Sequence, residues 1–430
     1  MNQARRWHYA TLAAVLLWLA FVVRLMIADV WDETNGMLAF SSPAMTFGAK
    51  LQFVLTQSLG FWRPLPTLLV ATILHFVRDF DLSWRVLRGV NICMLLATLW
   101  LLRSALWRTG NPACPPVDEA PSATATEDRQ DCLSSTLFTA GFLFSASAII
   151  TAGWFANVFD ASAMLLIAFA LSLLLRGRDL AAGVTIGIAF FCKESAALAL
   201  PFLLVLLASG RITFRQTLRA GIPAAILGAI YFAIRSRIVP FGGEGDIHGF
   251  AAAQLAPTFL NLAESFWEQT LKWRGFLGYL WLAVSIAALR RPRLIAAALL
   301  FFCATGLIYW GMFGEYQNGV LIHHLDFVGR LYLVPATLML FLLALERRTI
   351  AIAILLLPIV FGGFVTYRDH ARFQRMYKRI YRTARQATVK PLTVHYPAKP
   401  LDDVVRGVKV GDIPDASVTV NATTGRLGYR

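Results

Sequence analysis

The sequence predicts an all-α polytopic membrane protein with about eleven transmembrane helices. Three observations carry this prediction: 57% of the 430 residues are hydrophobic, only 15% are charged, and the mean hydropathy is +0.59. A helix that crosses a bilayer needs roughly 20 apolar residues, so about eleven helices would occupy roughly half of the chain. Such a composition excludes a water-soluble enzyme.

The candidate spans are apolar runs bounded by charged residues. They fall near residues 7–28, 62–77, 86–107, 134–156, 161–175, 180–192, 195–209, 220–238, 275–289, 294–312, 329–345 and 349–366. The first run follows Arg5 and Arg6 and lacks a small-residue cleavage site, so we interpret it as an uncleaved helix and not as a signal peptide.

Arginine clusters between the runs predict which loops lie in the cytoplasm, because short cytoplasmic loops are enriched in Arg and Lys. The clusters are Arg5/Arg6, Arg103/Arg108, Arg176/Arg178, Arg211/Arg215/Arg219, Arg290/Arg291/Arg293 and Arg347/Arg348. Neighbouring clusters must enclose an even number of crossings, but three runs lie between Arg6 and Arg103. The short run 62–77 carries charge and proline at its start, so we predict that it is an interfacial helix on the outer side.

The resulting topology has eleven spans, a cytoplasmic N-terminus and an outer C-terminus. Residues 1–366 form the membrane domain, and residues 367–430 form a basic C-terminal tail, of which 390–430 is expected to be extended or weakly folded. Loops of the membrane domain are predicted at 29–85 and 239–272 on the outer side, and the polar segment 104–133 is predicted to be a disordered cytoplasmic loop. The formal charge of +15 then reflects orientation in the membrane, and no nucleic-acid partner is expected.

The five cysteines, at positions 93, 114, 132, 192 and 303, have neither CxxC nor Cys/His spacing. The sequence therefore indicates neither a disulfide framework nor a zinc site.

Lys193 and Glu194 interrupt an apolar stretch. About thirteen apolar residues separate Asp179 from Lys193, which covers roughly 20 Å as a helix and falls short of a hydrocarbon core of about 30 Å. We therefore predict that the Lys-Glu turn is recessed into the membrane. The alternative is one long span over 180–209 with a buried ion pair, which would put Arg178 and Arg211 on opposite sides.

Ionisable residues concentrate on the predicted outer side, and such residues in membrane proteins usually face a watery cavity or a partner. Arginine pairs well with phosphate, and a carboxylate can act as a general base. An outer hollow of this composition suits a substrate that carries a phosphate together with a hydroxyl or amine that must lose a proton.

Four stretches in order along the chain resemble motifs of the C-type membrane glycosyltransferases, especially the protein O-mannosyltransferases and the aminoarabinose transferase of lipid A. They are Val30-Trp-Asp-Glu-Thr, Phe61-Trp-Arg-Pro-Leu-Pro with Trp84-Arg-Val-Leu-Arg-Gly-Val-Asn, Cys192-Lys-Glu-Ser-Ala-Ala-Leu-Ala-Leu-Pro, and Gly329-Arg-Leu-Tyr-Leu-Val-Pro. The resemblance spans roughly residues 1–366. It implies inverting transfer of a sugar from a polyprenyl-phosphate donor to a glycan, lipid or protein at the periplasmic face of a bacterial inner membrane.

The resemblance also implies roles for individual residues. Asp32 matches the catalytic carboxylate, and Glu33 supports it. Asp160 matches an acidic residue that would either orient the acceptor or share a cation. The donor phosphate would be held by Arg63, Lys193 and Arg330, with supporting roles for Glu194, Arg85, His324 and Asp326.

Departures from the family leave the sugar and the acceptor open. The lipid A enzymes tend to have Lys-Pro-Pro where this chain has Arg63-Pro64-Leu65, and the His-Pro of some mannosyltransferases is not found.

Other interpretations of these residues remain. Arg85 and Arg88 can instead hold a helix end at the lipid headgroups. No cofactor is expected, although His323, His324 and Asp326 have the chemistry of divalent-cation ligands. A transporter or flippase would bind a lipid-linked saccharide in the same hollow without chemistry. Transporters commonly carry internal repeats, and this sequence has no evident one.

The predicted topology can be tested by thiol labelling of Cys114 and Cys132. Because both lie in the predicted cytoplasmic loop, a membrane-impermeant maleimide should label them in inverted vesicles and leave them unlabelled in intact cells. Labelling from outside intact cells would overturn the topology.

Overall fold

The computed structural model describes the residues on which the following account rests. They are 3–24, 46–56, 62–77, 80–108, 125–154, 157–238, 284–308, 316–317, 320–321, 333–356, 359–364, 366–368, 371, 392–395, 417–421 and 426–429.

Helices dominate the described part of the chain. They are α1 (Gln3–Val22), α2 (Phe47–Thr56), α3 (Pro64–Phe76), α4 (Phe80–Arg108), α5 (Ala125–Leu143), α6 (Ala146–Gly153), α7 (Val158–Leu174), α8 (Asp179–Phe190), a 3-10 turn (Glu194–Leu198), α9 (Ala199–Ser209), α10 (Phe214–Ile238), α11 (Pro292–Ile308) and α12 (Leu333–Leu345). Further helical residues lie at 284–289 and within Thr349–Arg368.

Short strands complete the described secondary structure. Strands β1 (Tyr316–Gln317) and β2 (Val320–Leu321) form a small antiparallel pair. Strands β3 (Leu392–His395), β4 (Ser417–Asn421) and β5 (Arg426–Tyr429) form an antiparallel sheet with β4 in the centre. The tail that the sequence predicted to be extended or weakly folded therefore contains a three-stranded sheet.

Three of the described helical stretches are long and apolar enough to cross a membrane. They are Arg85–Leu106, Phe214–Ile238 and Thr349–Arg368, and the bent pair Leu133–Leu143 with Ala146–Gly153 makes a fourth if it counts as one span. Seven shorter apolar helices accompany them. These helices are compatible with a membrane protein, and the number of eleven spans stays a prediction.

The bend of 52° between α5 and α6 has a local cause. Ser145 lies between the helices, where its hydroxyl accepts a hydrogen bond from the backbone N–H of Ala148 and donates one to the carbonyl of Phe142. A serine at this position caps the second helix while satisfying a free carbonyl of the first.

The run 62–77 forms the 13-residue helix α3, which begins at Pro64. Proline suits a first helical position, because its missing N–H has no intrahelical acceptor there. Its length of about 20 Å is similar to that of α8 and α12, so the interfacial position of this run stays a prediction. Its buried residues repeat at helical spacing, and α3 packs against α4 and α7.

Two ends of the loop predicted at 104–133 are helical. Helix α4 continues to Arg108 and α5 begins at Ala125, so helix replaces the predicted disorder at 104–108 and 125–133. The remaining residues of this loop lie outside the described chain. Both helices continue from the neighbouring apolar runs into the polar sequence. The sequence pattern at the ends of these runs did not predict the extension.

Helices α7 to α10 run alternately between the two ends of the bundle. Helix α8 returns from α7, and α10 runs parallel to α8, because Gln216 donates a hydrogen bond to Asp179 at the start of both helices and Phe190 meets Gly228 further along. Helix α9 runs in the opposite direction between them. Helix α12 is buried along its whole length.

The arginine-rich turns meet at one end of the bundle, which we call the arginine end. Its turns are 175–179, 209–216, 289–293 and 345–348. Arg211 donates to the carbonyl of Leu345 at 2.6 Å, and Arg291 donates to the carbonyl of Ser209 at 3.4 Å. Together with the Gln216–Asp179 bond, these contacts place Arg178 and Arg211 at the same end. A single span over 180–209 is thereby excluded.

Glycines allow α8 and α10 to pack with their backbones close together. A Cβ atom at Gly183 would overlap the carbonyl of Ala220 and would lie 2.6 Å from Cγ of Pro223. A Cβ atom at Gly187 would lie 2.5 Å from Cβ of Leu227. Small residues spaced four apart are a common means of bringing two membrane helices into close contact.

Gly183→Ala should lower the stability of the folded protein by about 1–3 kcal/mol, the usual cost of overpacking. The control is Gly221→Ala, because a Cβ atom there meets only Leu203 Cδ1 at 4.0 Å. Thermal unfolding in detergent should show a lower midpoint for the first variant only. Equal midpoints for the two variants would contradict the close approach of α8 and α10.

Candidate functional site

The end of the bundle opposite the arginine end contains a sharp turn, which we call the corner, at residues 191–195. Helix α8 ends at Phe190, and the backbone N–H groups of Cys192 and Lys193 both donate to the carbonyl of Ala189. Lys193 is extended, and the chain then turns through the 3-10 segment into α9. This geometry sends the neighbouring side chains of Lys193 and Glu194 to different partners.

Lys193 forms a buried ion pair with Asp160. The ammonium nitrogen lies 2.6 Å from both carboxylate oxygens, and the side chains are 5% and 2% exposed. Asp160 lies in the first turn of α7, so the pair fastens the corner to the beginning of that helix. Each charge compensates the other, which is the condition for keeping both in an apolar bundle.

Glu194 holds a second and more open group of charges. Its Oε2 accepts from Nε and Nη2 of Arg63, at 3.1 and 3.0 Å, while its Oε1 lies 3.4 Å from Nε of Arg235. The hydroxyl of Tyr231 lies 2.9 Å from the same Oε1 and 3.0 Å from the carbonyl of Trp62. The Glu194 side chain is 21% exposed and that of Arg235 is 12% exposed, whereas Arg63, at 6%, is about as buried as Lys193, so this group is partly open on the side of Glu194 and Arg235.

Aromatic rings surround the second group. The rings of Trp62 and Tyr231 stack with centroids 5.6 Å apart, and Phe191 meets both rings edge-on. The guanidinium of Arg63 lies 5.3 Å from the ring centre of Phe159, a cation–π distance. An apolar wall of this kind lowers the local dielectric and strengthens the interactions of the charges beside it.

The corner is recessed relative to α10. At the corner, Tyr231 of α10 reaches Glu194, but the helix continues to Ile238. Seven further residues correspond to roughly 10 Å of helix. The short length of α8 predicted a turn recessed into the membrane, and the contact of Tyr231 places the corner short of the end of α10.

Three polar side chains near the corner lack hydrogen-bond partners in the described part of the chain. Both amide atoms of Asn157, the hydroxyl of Ser195 and the indole nitrogen of Trp62 are buried without partners there. Asn157 precedes α7 directly, one helical turn before Asp160. Buried polar groups normally find a partner, so these atoms mark positions suited to bound water or to polar ligand atoms.

Two further chain segments reach the corner end. Arg88 donates to the carbonyls of Val22 and Val23 at 2.9 and 3.3 Å, so it caps the end of α1. One turn later in α4, Asn91 donates to the carbonyl of Trp154, close to the start of α7. Helix α1 therefore ends at the corner end. Helix α12 begins there too, because its last residue, Leu345, lies at the arginine end.

The structure describes only some of the predicted site residues. It brings Arg63 and Glu194 together and Asp160 and Lys193 together at the corner. The remainder of the predicted set, with Arg85 excepted, lies outside the described residues: Asp32, Glu33, Arg330, His323, His324 and Asp326.

Asp160 and Lys193 have a different environment from the one their predicted roles require. An acceptor-orienting carboxylate and a phosphate-binding ammonium need access to substrate, but both oxygens of Asp160 face Lys193 and neither side chain is exposed. This arrangement supports a positioning role for the pair.

The two arginines at the start of α4 differ from each other. Arg85 is exposed, as expected for a side chain that reaches lipid headgroups. Arg88 is buried, and its contact with the end of α1 corrects the interpretation that it holds a helix end at the headgroups. A guanidinium at a helix C-terminus satisfies carbonyls that have no intrahelical donor.

Sequence reasoning missed Arg235 and Tyr231. Both lie at the end of the α10 run, where a terminal arginine is typical of an interfacial residue. Their spacing of four residues, which puts them on one helix face, was the only available signal. Their shared contact with Glu194 depends on the register between α8 and α10, which the sequence does not display.

Within the described ranges, no group of three or more His, Cys, Asp or Glu side chains could hold a metal ion. The candidate cation ligands His323, His324 and Asp326 fall outside those ranges.

Comparison with known protein families, with characterised protein sequences and with solved structures gives no match to this chain. The resemblance to C-type glycosyltransferases therefore rests on its sequence motifs.

The Lys193–Asp160 pair predicts a strong asymmetry between single and double substitutions. Asp160→Asn or Lys193→Met alone should destabilise the protein by about 3–5 kcal/mol, because either change leaves a buried charge without its partner. The double variant should recover most of this loss. Unfolding free energies in detergent measure the coupling, and additive losses would show that the two charges do not depend on each other.

Proposed function

We propose that this protein is a membrane glycosyltransferase. It moves a sugar from a polyprenyl-phosphate donor to a glycan, lipid or protein acceptor, with inversion, on the side of the membrane at which the corner lies. By the motif resemblance, that side is the periplasmic face of a bacterial inner membrane.

The observation that carries the proposal is the sharing of one carboxylate by two guanidinium groups. Glu194 contacts the guanidinium groups of both Arg63 and Arg235 beside an apolar wall. Arg235 has the weaker contact, with a single separation of 3.4 Å. A donor phosphate could exchange onto these guanidiniums, with which it makes short, charge-assisted hydrogen bonds.

The chain ends that reach the corner support a common site. The segment that carries Asp32 and Glu33 leaves α1, whose last residues are capped by Arg88 at the corner end. Arg330 precedes the start of α12, which is at the same end. The described chain end that precedes the acidic motif and the one that follows the last basic motif therefore both lie at the corner end.

The proposed reaction is a single displacement at the anomeric carbon. The acceptor hydroxyl or amine attacks this carbon from the face opposite the phosphate, and Asp32 takes the proton that the nucleophile loses. The bond between the anomeric carbon and the phosphate oxygen breaks, and the polyprenyl phosphate leaves with its electron pair. Arg63 and Arg235 stabilise the charge that grows on the phosphate, which lowers the barrier to bond breaking.

In this scheme, Lys193 and Asp160 affect the site indirectly, by holding the surrounding structure in place. Their ion pair fixes the corner against α7 and thereby sets the position of Glu194, the next residue. Glu194 in turn orients Arg63 and Arg235. This arrangement keeps both guanidiniums at the site until a donor phosphate replaces Glu194 as their partner.

The rival proposal is a flippase or transporter of a lipid-linked saccharide. Its binding site would use the same arginines, but no bond would break. Recessed charged sites and broken helices occur in transporters as well. The two proposals differ in the fate of the sugar, which either leaves its carrier or crosses the membrane with it.

Asp32→Asn should reduce sugar transfer by a factor of roughly 10²–10⁴ while donor binding is retained, because loss of a general base affects the chemical step. The measurement is turnover in liposomes that contain the protein, a polyprenyl-phosphate sugar and a set of candidate acceptors. Donor binding is followed separately by quenching of the intrinsic tryptophan fluorescence.

Asp29→Asn is the matched control, since it removes the same charge from the same segment and should leave turnover unchanged. Undiminished transfer by Asp32→Asn would remove Asp32 from the role of base. If the intact donor crosses the bilayer and no sugar is transferred, the flippase proposal is supported and the glycosyltransferase proposal is contradicted.

A further inference from the structure

The arginine end has a chemistry of its own, separate from the corner. All ten basic residues of its turns and of the first turns that follow them are arginine, and none is lysine. Seven of them are exposed: Arg176, Arg178, Arg215, Arg219, Arg290, Arg291 and Arg293. The contacts of Gln216 with Asp179, of Arg211 with Leu345 and of Arg291 with Ser209 join the four turns into one surface.

Within the four described turns, negative charge does not offset the exposed arginines. The carboxylates within the four turns are Asp179, which is buried and accepts from Gln216, and Glu346, which faces Arg211 at 3.8 Å. Both are therefore engaged inside the protein. The exposed part of the surface carries seven positive charges and no carboxylate from the described turns.

The surface adjoins the apolar faces of the same helices. Leu180 at the start of α8, Phe214 at the start of α10 and Ile350 at the start of the last helical stretch are all exposed. On α10, Leu218 and Ile222 continue this exposed apolar row away from the arginines. A belt of arginine directly followed by exposed apolar side chains has the layering of a bilayer, with headgroups above acyl chains.

Backbone conformation gives an independent indication that arginine is required here. Each of the four turns contains one residue with positive φ, and in two of them it is a glycine, Gly177 (74°) or Gly210 (77°). In the other two it is Arg290 (58°) or Arg347 (55°). A side chain in the left-handed region costs roughly 1–2 kcal/mol that glycine avoids, and strain kept at a surface suggests a role for the side chain.

We propose that the arginine end is a binding site for acidic phospholipids. The exposed guanidiniums of the turns 209–216 and 289–293 hold the phosphate oxygens of the headgroups, and the exposed apolar rows of α8 and α10 receive the acyl chains. Arginine suits this role, because its planar fork can donate two parallel hydrogen bonds to one phosphate. The proposal does not depend on the reaction at the corner.

The test compares full-length protein in nanodiscs of phosphatidylcholine alone and in nanodiscs that also contain phosphatidylglycerol. The measured quantity is the lipid shift, the increase in unfolding midpoint that phosphatidylglycerol produces. A ligand that binds the folded state raises its stability, so wild-type protein should show a clear lipid shift.

Arg290→Gly distinguishes an effect on lipid binding from an effect on stability, because it removes a guanidinium and also relieves backbone strain. We expect a higher midpoint than wild type in phosphatidylcholine, but a smaller lipid shift. The double variant Arg290→Gly/Arg293→Gln should reduce the lipid shift to about half, because it removes two of the four exposed arginines of the turns 209–216 and 289–293 and each contributes a similar share. A full lipid shift in the double variant would overturn the proposal.

Arg237→Gln is the matched control. Arg237 is an exposed arginine at the opposite end of α10, so its removal changes the net charge equally without touching the arginine end. It should retain the wild-type lipid shift. If Arg237→Gln lowers the lipid shift as much as Arg290→Gly does, the shift depends only on net charge and the proposal is contradicted. Inorganic polyphosphate is then added to phosphatidylcholine nanodiscs. A shift as large as that with phosphatidylglycerol would identify a soluble polyanion as the ligand and contradict the lipid.

Discussion

Charges buried in an apolar bundle must be compensated, and this constraint shapes the whole corner end of the protein. Lys193 and Glu194 are neighbours in sequence, yet each meets its own partners: Asp160 on α7 for the lysine, and Arg63 and Arg235 for the glutamate. The two residues thereby fasten α3, α7 and α10 to one turn. An ion pair of this kind costs desolvation energy, so its benefit lies in fixing one arrangement of the helices more than in overall stability.

The basic residues at the two ends of the bundle have different surroundings. At the corner end, Arg63, Arg235 and Lys193 are engaged by carboxylates inside the protein, and the first two lie near an aromatic wall. In the described turns of the arginine end, exposed guanidiniums outnumber carboxylates and lie next to exposed apolar side chains. The first arrangement suits recognition of one phosphate in a recessed site, and the second suits the many phosphates of a lipid surface.

Much of the coarse organisation could be predicted from the sequence. Arginine clusters gave the common end of four turns, because charge bias acts on whole loops and does not depend on packing detail. The thirteen-residue spacing before Lys193 predicted the recess, since helix rise is fixed. The start of the helix after Trp62 followed from its prolines.

Pairing between distant side chains could not be predicted in the same way. The contact of Glu194 with Arg235 and Tyr231 needs the register between α8 and α10, and that register depends on glycines whose role appears only in three dimensions. Asp160 and Lys193 were both singled out as charged residues that should face substrate, but their sequence separation hid the fact that they neutralise each other. Arg88 likewise matched a surface pattern and proved to be a buried helix cap.

The central claim is that the corner binds the phosphate of a polyprenyl-phosphate donor. A cryo-EM structure of the protein with a non-transferable donor analogue tests it most directly, because it locates the phosphorus atom. The account predicts phosphate oxygens within hydrogen-bonding distance of Arg63 or Arg235, with the sugar directed towards Asp32. A donor phosphate bound only at the arginine end, or a corner whose guanidiniums stay on Glu194 while the donor occupies another site, would contradict it.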